Sequence, residues 1–584
     1  MSRRKTVLIV LVLAAVLFIL AAGAVGALYV VFFRPSAPGI SDESVLVIDL
    51  TEPIEERAEE TLWAALHRSR PVNLVAASRL IRRAADDDRI GRAVLLVGPS
   101  PGFGWAAAAE IRGAVAFFRD SGKPVDAYID AADDLGYSIA AEADRVFLSP
   151  SGLLLVDGLY GRVFFYKNLL GRADIRFDEI HAGSYKSAPE SFTRESISGP
   201  AREQMDALLD DLFDEYLGAI AGARGSDAGW ARRAVDDGPY LLPERAVEAG
   251  LADSVLALPD FERAAGIDEE GKSLTLAEYG KGSADGFRFG GAEFALIHVV
   301  GEILPGPDRR EPVGGPIAGA ETIIGAIREA AENDRYDAIL LRVSSPGGSV
   351  GASDAIREEV VRAREKKPVV VSMGDVAASG AYWIASGADG IVAQPATITG
   401  SIGVFLLRPV LERFYERFGV GREEFLRGEH ADIFSTPRAW NEEEKERIGR
   451  GIDGMYSLFL ERVAEGRGMS VARVDSLAGG RVWSGKASYN NGLVDRIGGF
   501  DVAVRFAAEL TGIDPDARVR LHLLPAERSL IERIREGDWG IARAGEDATI
   551  SILESYGLPS AEILPFGPEG GPLRARIPYR ISIR

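Results

Sequence analysis

Along this chain, apolar runs alternate with amphipathic stretches, and the alternation occurs twice. Val45-Leu-Val-Ile-Asp-Leu50 predicts a strand, and Phe294-Ala-Leu-Ile-His-Val-Val300 predicts another of the same kind. Each is followed by a helical stretch that closes in related sequence, at 81–89 and at 327–335. Continuous apolar runs come next, Val94-Leu-Leu-Val97 and Ile339-Leu-Leu-Arg-Val343, each leading to a Pro-Gly turn. A run without polar alternation suits a strand buried on both faces. Helix starts near Ala106 and Ala352, and strands after Lys123 and Lys367, complete each set. Strands alternating with helices predict α/β units on a mostly parallel sheet.

The two sets are copies. Pro101 and Pro346 lie 245 residues apart, and the same offset brings Ala140, Ala143 and Asp144 onto Ala385, Ala388 and Asp389. It also brings Gly183 onto Gly428. A period this long means a duplicated domain rather than a solenoid. The expected boundaries are 44–265 and 292–515, with a Gly- and charge-rich linker at 266–291 and a tail at 516–584 that has no counterpart. The tail ends with Ile577, Tyr579, Ile581 and Ile583 in alternation, as in an edge strand, and its expected role is packing.

The amino terminus sets the compartment. A basic segment at 1–6 precedes 27 uncharged residues at 7–33. About 20 suffice to span a bilayer, and the run exceeds the roughly 7–15 of a cleavable signal's apolar region. A transmembrane signal anchor is expected, with the basic cluster in the cytoplasm and the rest of the chain outside.

Composition removes several chemistries. The net charge of −20 disfavours a sequence-independent nucleic-acid binder, which needs Lys and Arg to neutralise phosphate. The absence of cysteine removes thiolates and disulfides, and the five histidines show no ligand spacing, so neither metal nor cofactor is expected. Gly266-Ile-Asp-Glu-Glu-Gly-Lys-Ser273 has the spacing of a phosphate loop, but carries three carboxylates and lacks a leading strand; it reads as polar linker. Gly102-Phe-Gly-Trp-Ala-Ala107 loosely fits a dinucleotide loop, but its copy, Gly347-Gly-Ser-Val-Gly-Ala352, does not keep the spacing, so these glycines read as turn residues.

The chemistry gathers where the copies differ. Val371-Ser-Met-Gly-Asp-Val-Ala-Ala-Ser379-Gly380 reads as a strand, a turn and a helix starting at or just after the serine. Taken alone, Ser379 would read as an N-cap. Ser344-Ser-Pro-Gly-Gly348 adds a tight turn whose free amides could hold an oxyanion, Gly347 or Gly348 acting with Gly380. A nucleophilic serine also needs a base. No histidine sits in a companion motif, whereas Lys186, in Gly183-Ser-Tyr-Lys-Ser-Ala188, stands in a short segment between regular elements. Burial would draw such an amine toward neutrality. Position 134 of the first copy, facing Ser379, is Asp134, and position 431 of the second, facing Lys186, is Ala431.

Four ordered motifs, Ser344-Ser-Pro-Gly-Gly-Ser349, Ala378-Ser-Gly-Ala-Tyr382, Thr399-Gly-Ser-Ile-Gly-Val404 and Gly183-Ser-Tyr-Lys-Ser-Ala188, together resemble the signal peptide peptidase A family in its long, duplicated form. The similarity runs over roughly 45–515. It implies two tandem α/β repeats of the Clp-protease/crotonase superfamily behind a transmembrane helix, and a serine peptidase of signal peptide peptidase type. By resemblance Ser379 is the nucleophile, Lys186 the base and Ser401 the hydroxyl that orients the lysine, with Gly347 and Gly380 forming the oxyanion hole. Peptide remnants of signal sequences are the implied substrates, at the bacterial inner membrane on its extracytoplasmic side. A homo-oligomer, tetrameric by resemblance, is implied as well. Ala431, where the short form carries its lysine, and Phe103, replacing the second glycine of the turn, imply that neither copy works alone. A crotonase-like acyl-CoA enzyme and a non-catalytic membrane scaffold are the alternatives; neither needs Ser379 and Lys186 together.

Overall fold

The computed structural model describes residues 40–57, 72–99, 102–267, 272–282, 291–311, 315–526 and 574–576. The expected anchor at 7–33 and the alternating end at 577–584 lie outside them. Among the described residues no helix is long and apolar enough to cross a membrane.

In the first repeat the apolar runs form a wholly parallel sheet. Its order is Ser254–Val255, Arg145–Leu155, Val125–Asp133, Ile90–Val97, Ser44–Leu50 and Ser273–Thr275. The outermost of these strands comes from the stretch between the repeats, which also holds the helix Leu276–Gly282. Helices cover the sheet with small and branched residues. The helix Trp105–Asp120 buries Ala107, Ala108, Ile111, Ala114, Val115 and Phe118, a stripe with helical spacing. Full burial of a side chain such as Phe118 contributes about 1.5–3 kcal/mol.

The second repeat has the same design, ordered Val482–Ser484, Ile398–Gly400, Val369–Ala378, Ala338–Ser345, Ala292–Val300 and Val519–Leu524. Only the first pair along this path is antiparallel. Val519–Leu524, from the tail, thus joins the sheet edge.

A third sheet joins the repeats. Its order is Arg309–Glu311, Gly315–Gly319, Glu302–Leu304, Gly347–Ser349, Arg574–Arg576, Val404–Val410 and Arg176–Ala182. The last strand belongs to the first repeat and lies antiparallel on Val404–Val410 of the second, from Val404 opposite Ala182 to Val410 opposite Arg176. That ladder carries the chain to Lys186.

Buried charge forms a second link. Arg342 sits in the middle of Ala338–Ser345, fully buried, and donates to both oxygens of Glu56 at 2.7 and 3.0 Å and to Ser372 Oγ at 3.0 Å. Glu110, from the Trp105–Asp120 helix of the first repeat, lies 2.9 Å from the same guanidinium. Asp375, four residues before Ser379, accepts from the Gly104 and Ala107 amides at 2.7 and 2.9 Å. Gly104 is the N-cap of that helix and has no side chain to offer, so a carboxylate from the other repeat supplies the cap. Gly104 adopts φ −99° and is no left-handed turn; a Cβ there would stand 2.8 Å from the Asp375 carboxylate. Gly102, at φ 80°, is the turn glycine of the pair.

Candidate active site

Ser379 follows the strand Val369–Ala378 directly and adopts φ 57° and ψ −118°. Such a conformation costs an L-residue on the order of 1–3 kcal/mol. It is held by the Ser379 amide, which donates to Gly400 O at 2.8 Å, while the helix Gly380–Ala385 begins at the next residue. The hydroxyl makes no capping bond to that helix. Ser379 is therefore no simple N-cap: its Oγ lies 2.8 Å from Lys186 Nζ.

Lys186 reaches this point from the first repeat. After Arg176–Ala182 the chain turns at Gly183, φ 101°, and the Tyr185 amide donates to Gly479 O at 2.8 Å. The backbones touch here. A Cβ on Gly480 would sit 2.6 Å from Lys186 Cβ, and one on Gly183 would collide with Gly479. Gln204 fastens the loop further, donating to Tyr185 O and Ser187 Oγ and accepting from the Val482 amide.

The amine is wholly buried. Nζ donates to Ser401 O and Ser401 Oγ, each at 3.0 Å. Among the described residues no carboxylate pairs with it, and burial holds it well below the usual lysine range. Ser401 also has a positive φ, 51°, and its amide donates to Arg481 O at 2.7 Å. Ser379, Lys186 and Ser401, distant in sequence, thus meet in one buried cluster.

Gly347 and Gly380 lie beside it with different amide environments. Gly347, at φ 100°, donates its N–H to Ser345 Oγ at 3.1 Å. The Gly348 nitrogen faces Gly380, where a Cβ would stand 3.1 Å away and collide with Ser353 Oγ. Gly348 is itself a ladder residue, opposite Ile303 on one side and Ala575 on the other, and packs backbone to backbone against Gly380.

At the position corresponding to Ser379, the first repeat has a carboxylate. Asp134 is buried, accepts from the Asp157 and Gly158 amides at 3.2–3.3 Å, and burial pushes its carboxyl up to about 6.

The sequence profile of peptidase family S49 matches residues 117–266 and again 362–514. The chain belongs to peptidase family S49. A Clp protease profile matches 317–399, in the repeat that carries Ser379. Over 515 residues the chain is 31% identical to Protease 4 of Haemophilus influenzae, covering 82% of this chain and 81% of that protein. It is 34% identical over 497 residues to Protease 4 of Salmonella typhi, covering 82% and 78%. It is 31% identical over 522 residues to the chloroplastic serine protease SPPA of Arabidopsis thaliana, covering 87% and 75%. This S49 chain is accordingly a serine peptidase with a Clp-protease-like α/β fold, parallel sheets and two repeats.

Three structural features escaped sequence reasoning. Ser345, which occupies the Gly347 amide, sits inside a motif quoted for its glycines. Arg342 interrupts an apolar run where the first repeat has Val97, a difference visible in the aligned copies. Gly479 and Gly480, which seat the lysine loop, have no motif of their own.

Proposed function

We propose that this S49 serine peptidase is a membrane-anchored endopeptidase with Ser379 as nucleophile and Lys186 as general base. It degrades apolar peptides, cleaved signal peptides foremost, on the extracytoplasmic side of the bacterial inner membrane, as a homo-oligomer. The observation that carries the catalytic assignment is the 2.8 Å contact between Ser379 Oγ and a buried lysine amine that has no carboxylate partner among the described residues. A neutral amine has a lone pair for the serine proton, whereas an ammonium ion has none.

In the proposed mechanism Lys186 takes the proton as Oγ attacks the scissile carbonyl. The oxyanion is held by the Gly380 amide together with one from the turn, that of Gly347 or Gly348. Lys186 then protonates the departing amine, and the acyl-enzyme is cleared by a water that gives its proton to the same lysine. The two Ser401 acceptors hold Nζ in place and stabilise the transient ammonium. For substrate, the strand Arg574–Arg576 lies antiparallel to Gly347–Ser349 on one side and to Phe405 on the other. A gap that accepts an extended chain between two strands supports peptide binding by β-addition.

The test uses the full chain in detergent with a peptide ester. Ser379→Ala and Lys186→Ala should each lower kcat/KM by about a hundredfold or more. Wild-type kcat/KM should rise with pH as the lysine loses its proton. Wild-type turnover in either variant, or a profile flat from about pH 6 to 9, would overturn the assignment.

A further inference from the structure

We propose that Gln204, on the helix Gly199–Ala223 of the first repeat, is a positioning residue for the lysine base. Its side-chain amide bridges the Lys186 loop to the strand that fixes Ser379 and Ser401, and so keeps water from Nζ. The proposal rests on the preceding reading of Lys186 as base, and its test separates the two.

The helix buries Ala201, Met205, Leu208, Leu212, Tyr216 and Ile220, a stripe with helical spacing. Gln204 lies in the same stripe and is 1% exposed. A primary amide taken out of water needs partners for two N–H groups and one oxygen. Gln204 finds all three at the boundary between the repeats. Nε2 donates to Tyr185 O and to Ser187 Oγ, each at 3.1 Å, and Oε1 accepts from the Val482 amide at 3.1 Å. The orientation is fixed: turned over, the amide would aim an N–H at the Val482 N–H and its oxygen at Tyr185 O.

The two ends of this bridge are the two sides of the reaction. Tyr185 and Ser187 flank Lys186. Val482 stands opposite Gly400, in the antiparallel pair of Val482–Ser484 with Ile398–Gly400. Gly400 O holds the Ser379 amide, and the next residue is Ser401. One side chain therefore sets the spacing between the amine and both of its hydroxyl neighbours. Its neighbour Glu203 makes a second tie, to Arg481 at 2.8 Å and the Tyr185 hydroxyl at 3.0 Å. That carboxylate is 56% exposed, where screening leaves an ion pair little strength.

The second repeat supplies the comparison. At the offset of 245 the helix overlays Glu442–Arg467, and Gln204 falls on Gly449, where an added Cβ would meet nothing within 4 Å. The turn glycines Gly183 and Gly428 keep φ values of 101° and 107°. Yet Ala431, three residues past the second turn, is exposed, whereas Lys186 is buried. The turn alone does not bury the residue that follows it. The bridging amide and the lysine occur in the same copy, and the other copy has neither.

The titratable groups around the loop are His181, Glu190, Glu203, Arg481 and Tyr456, whose hydroxyl accepts from the Gly479 amide and donates to Asp475. None of them is hydrogen-bonded to Nζ, whose partners among the described residues are Ser379 and Ser401. Loss of the bridge therefore acts on the amine through access of water.

The test follows kcat and KM of the full chain in detergent on a peptide ester from about pH 6 to 10. Gln204→Met keeps an unbranched stem and removes all three bonds. Water drawn to the stranded Tyr185 O and Val482 amide then reaches the amine, which holds its proton to higher pH. The rise in kcat/KM should move up by about one pH unit or more, and kcat near neutrality should fall about tenfold with KM within about twofold. The parent rate should return at the alkaline end. Gln204→Asn, one methylene too short to span both sides, should move the profile the same way, and it stands in if Gln204→Met does not fold. Glu203→Gln, which removes the exposed tie of the same helix turn, should leave the profile in place. An unmoved profile in the folded Gln204 variants, whatever their stability, would overturn the positioning role, as would an equal shift in Glu203→Gln. A flat profile in the parent would overturn the preceding reading, and this one with it.

Discussion

Replacing Lys186 by methionine tests the neutrality of the amine without measuring catalysis. Methionine keeps an unbranched apolar stem and removes the nitrogen. If the folded protein holds Lys186 neutral while the unfolded chain protonates it below the usual 10.5, deprotonation costs about 1.4 kcal/mol for each pH unit below that value. At pH 7.5 this amounts to about 4 kcal/mol. The lost hydrogen bonds offset part of it, at roughly 1 kcal/mol each. Lys186→Met should therefore be more stable than the parent near neutrality, by about 1–3 kcal/mol. The slope is more decisive than the size. Where the unfolded state binds one more proton, stability rises with pH. The parent should thus gain about 1.4 kcal/mol per unit between the folded pKa of the lysine and 10.5, and the methionine variant should lack that gain. Denaturant midpoints at pH 7, 8 and 9 would be compared in a Ser379→Ala background, which prevents self-digestion and keeps both Ser401 acceptors. Parallel curves for the two proteins would mean that Lys186 folds with its proton on, and the base assignment would fall.

Ser401→Ala should lower kcat about tenfold or more while leaving KM nearly unchanged, and should move the rise in kcat/KM to lower pH, because the ammonium loses an acceptor; an unmoved pH profile would remove Ser401 from the lysine's environment. Arg342→Met should destabilise the protein by about 3–5 kcal/mol by leaving Glu110 and Glu56 without their cation; a loss under about 1 kcal/mol by denaturant titration would show that this cluster does not hold the repeats together. Ending the chain after residue 526 removes the strand between Gly347–Ser349 and Phe405 and should lower KM for a peptide ester; an unchanged KM would show that the strand does not compete with substrate.

Both repeats were legible because a strand buried on two faces must be apolar throughout, and such runs keep their spacing through a duplication. Lys186 was legible by contrast, standing where the other copy has Ala431. The direction of a single amide was not. Gly347 and Gly348 are equivalent as letters, and only the Ser345 hydroxyl decides which N–H is spent within the turn. Interactions between repeats were equally hidden. Gly104 reads as a turn residue until Asp375, 271 positions later, fills the space a side chain would need. Ser273–Thr275 escaped for a simpler reason: three residues are too few for a periodic signal against a Gly- and charge-rich background.

The route of Lys186 into the second repeat also orders events in time. Synthesis delivers the first repeat, with Lys186, before the proposed nucleophile exists. Ser379 follows 193 residues later, and the glycines that seat the lysine loop, at 479 and 480, come a further hundred residues on. A growing chain is thus chemically silent for most of its length. With the dyad proposed above, competence arrives only when the last of the seating glycines has emerged and the repeats have docked, so an unfinished chain cannot cut itself.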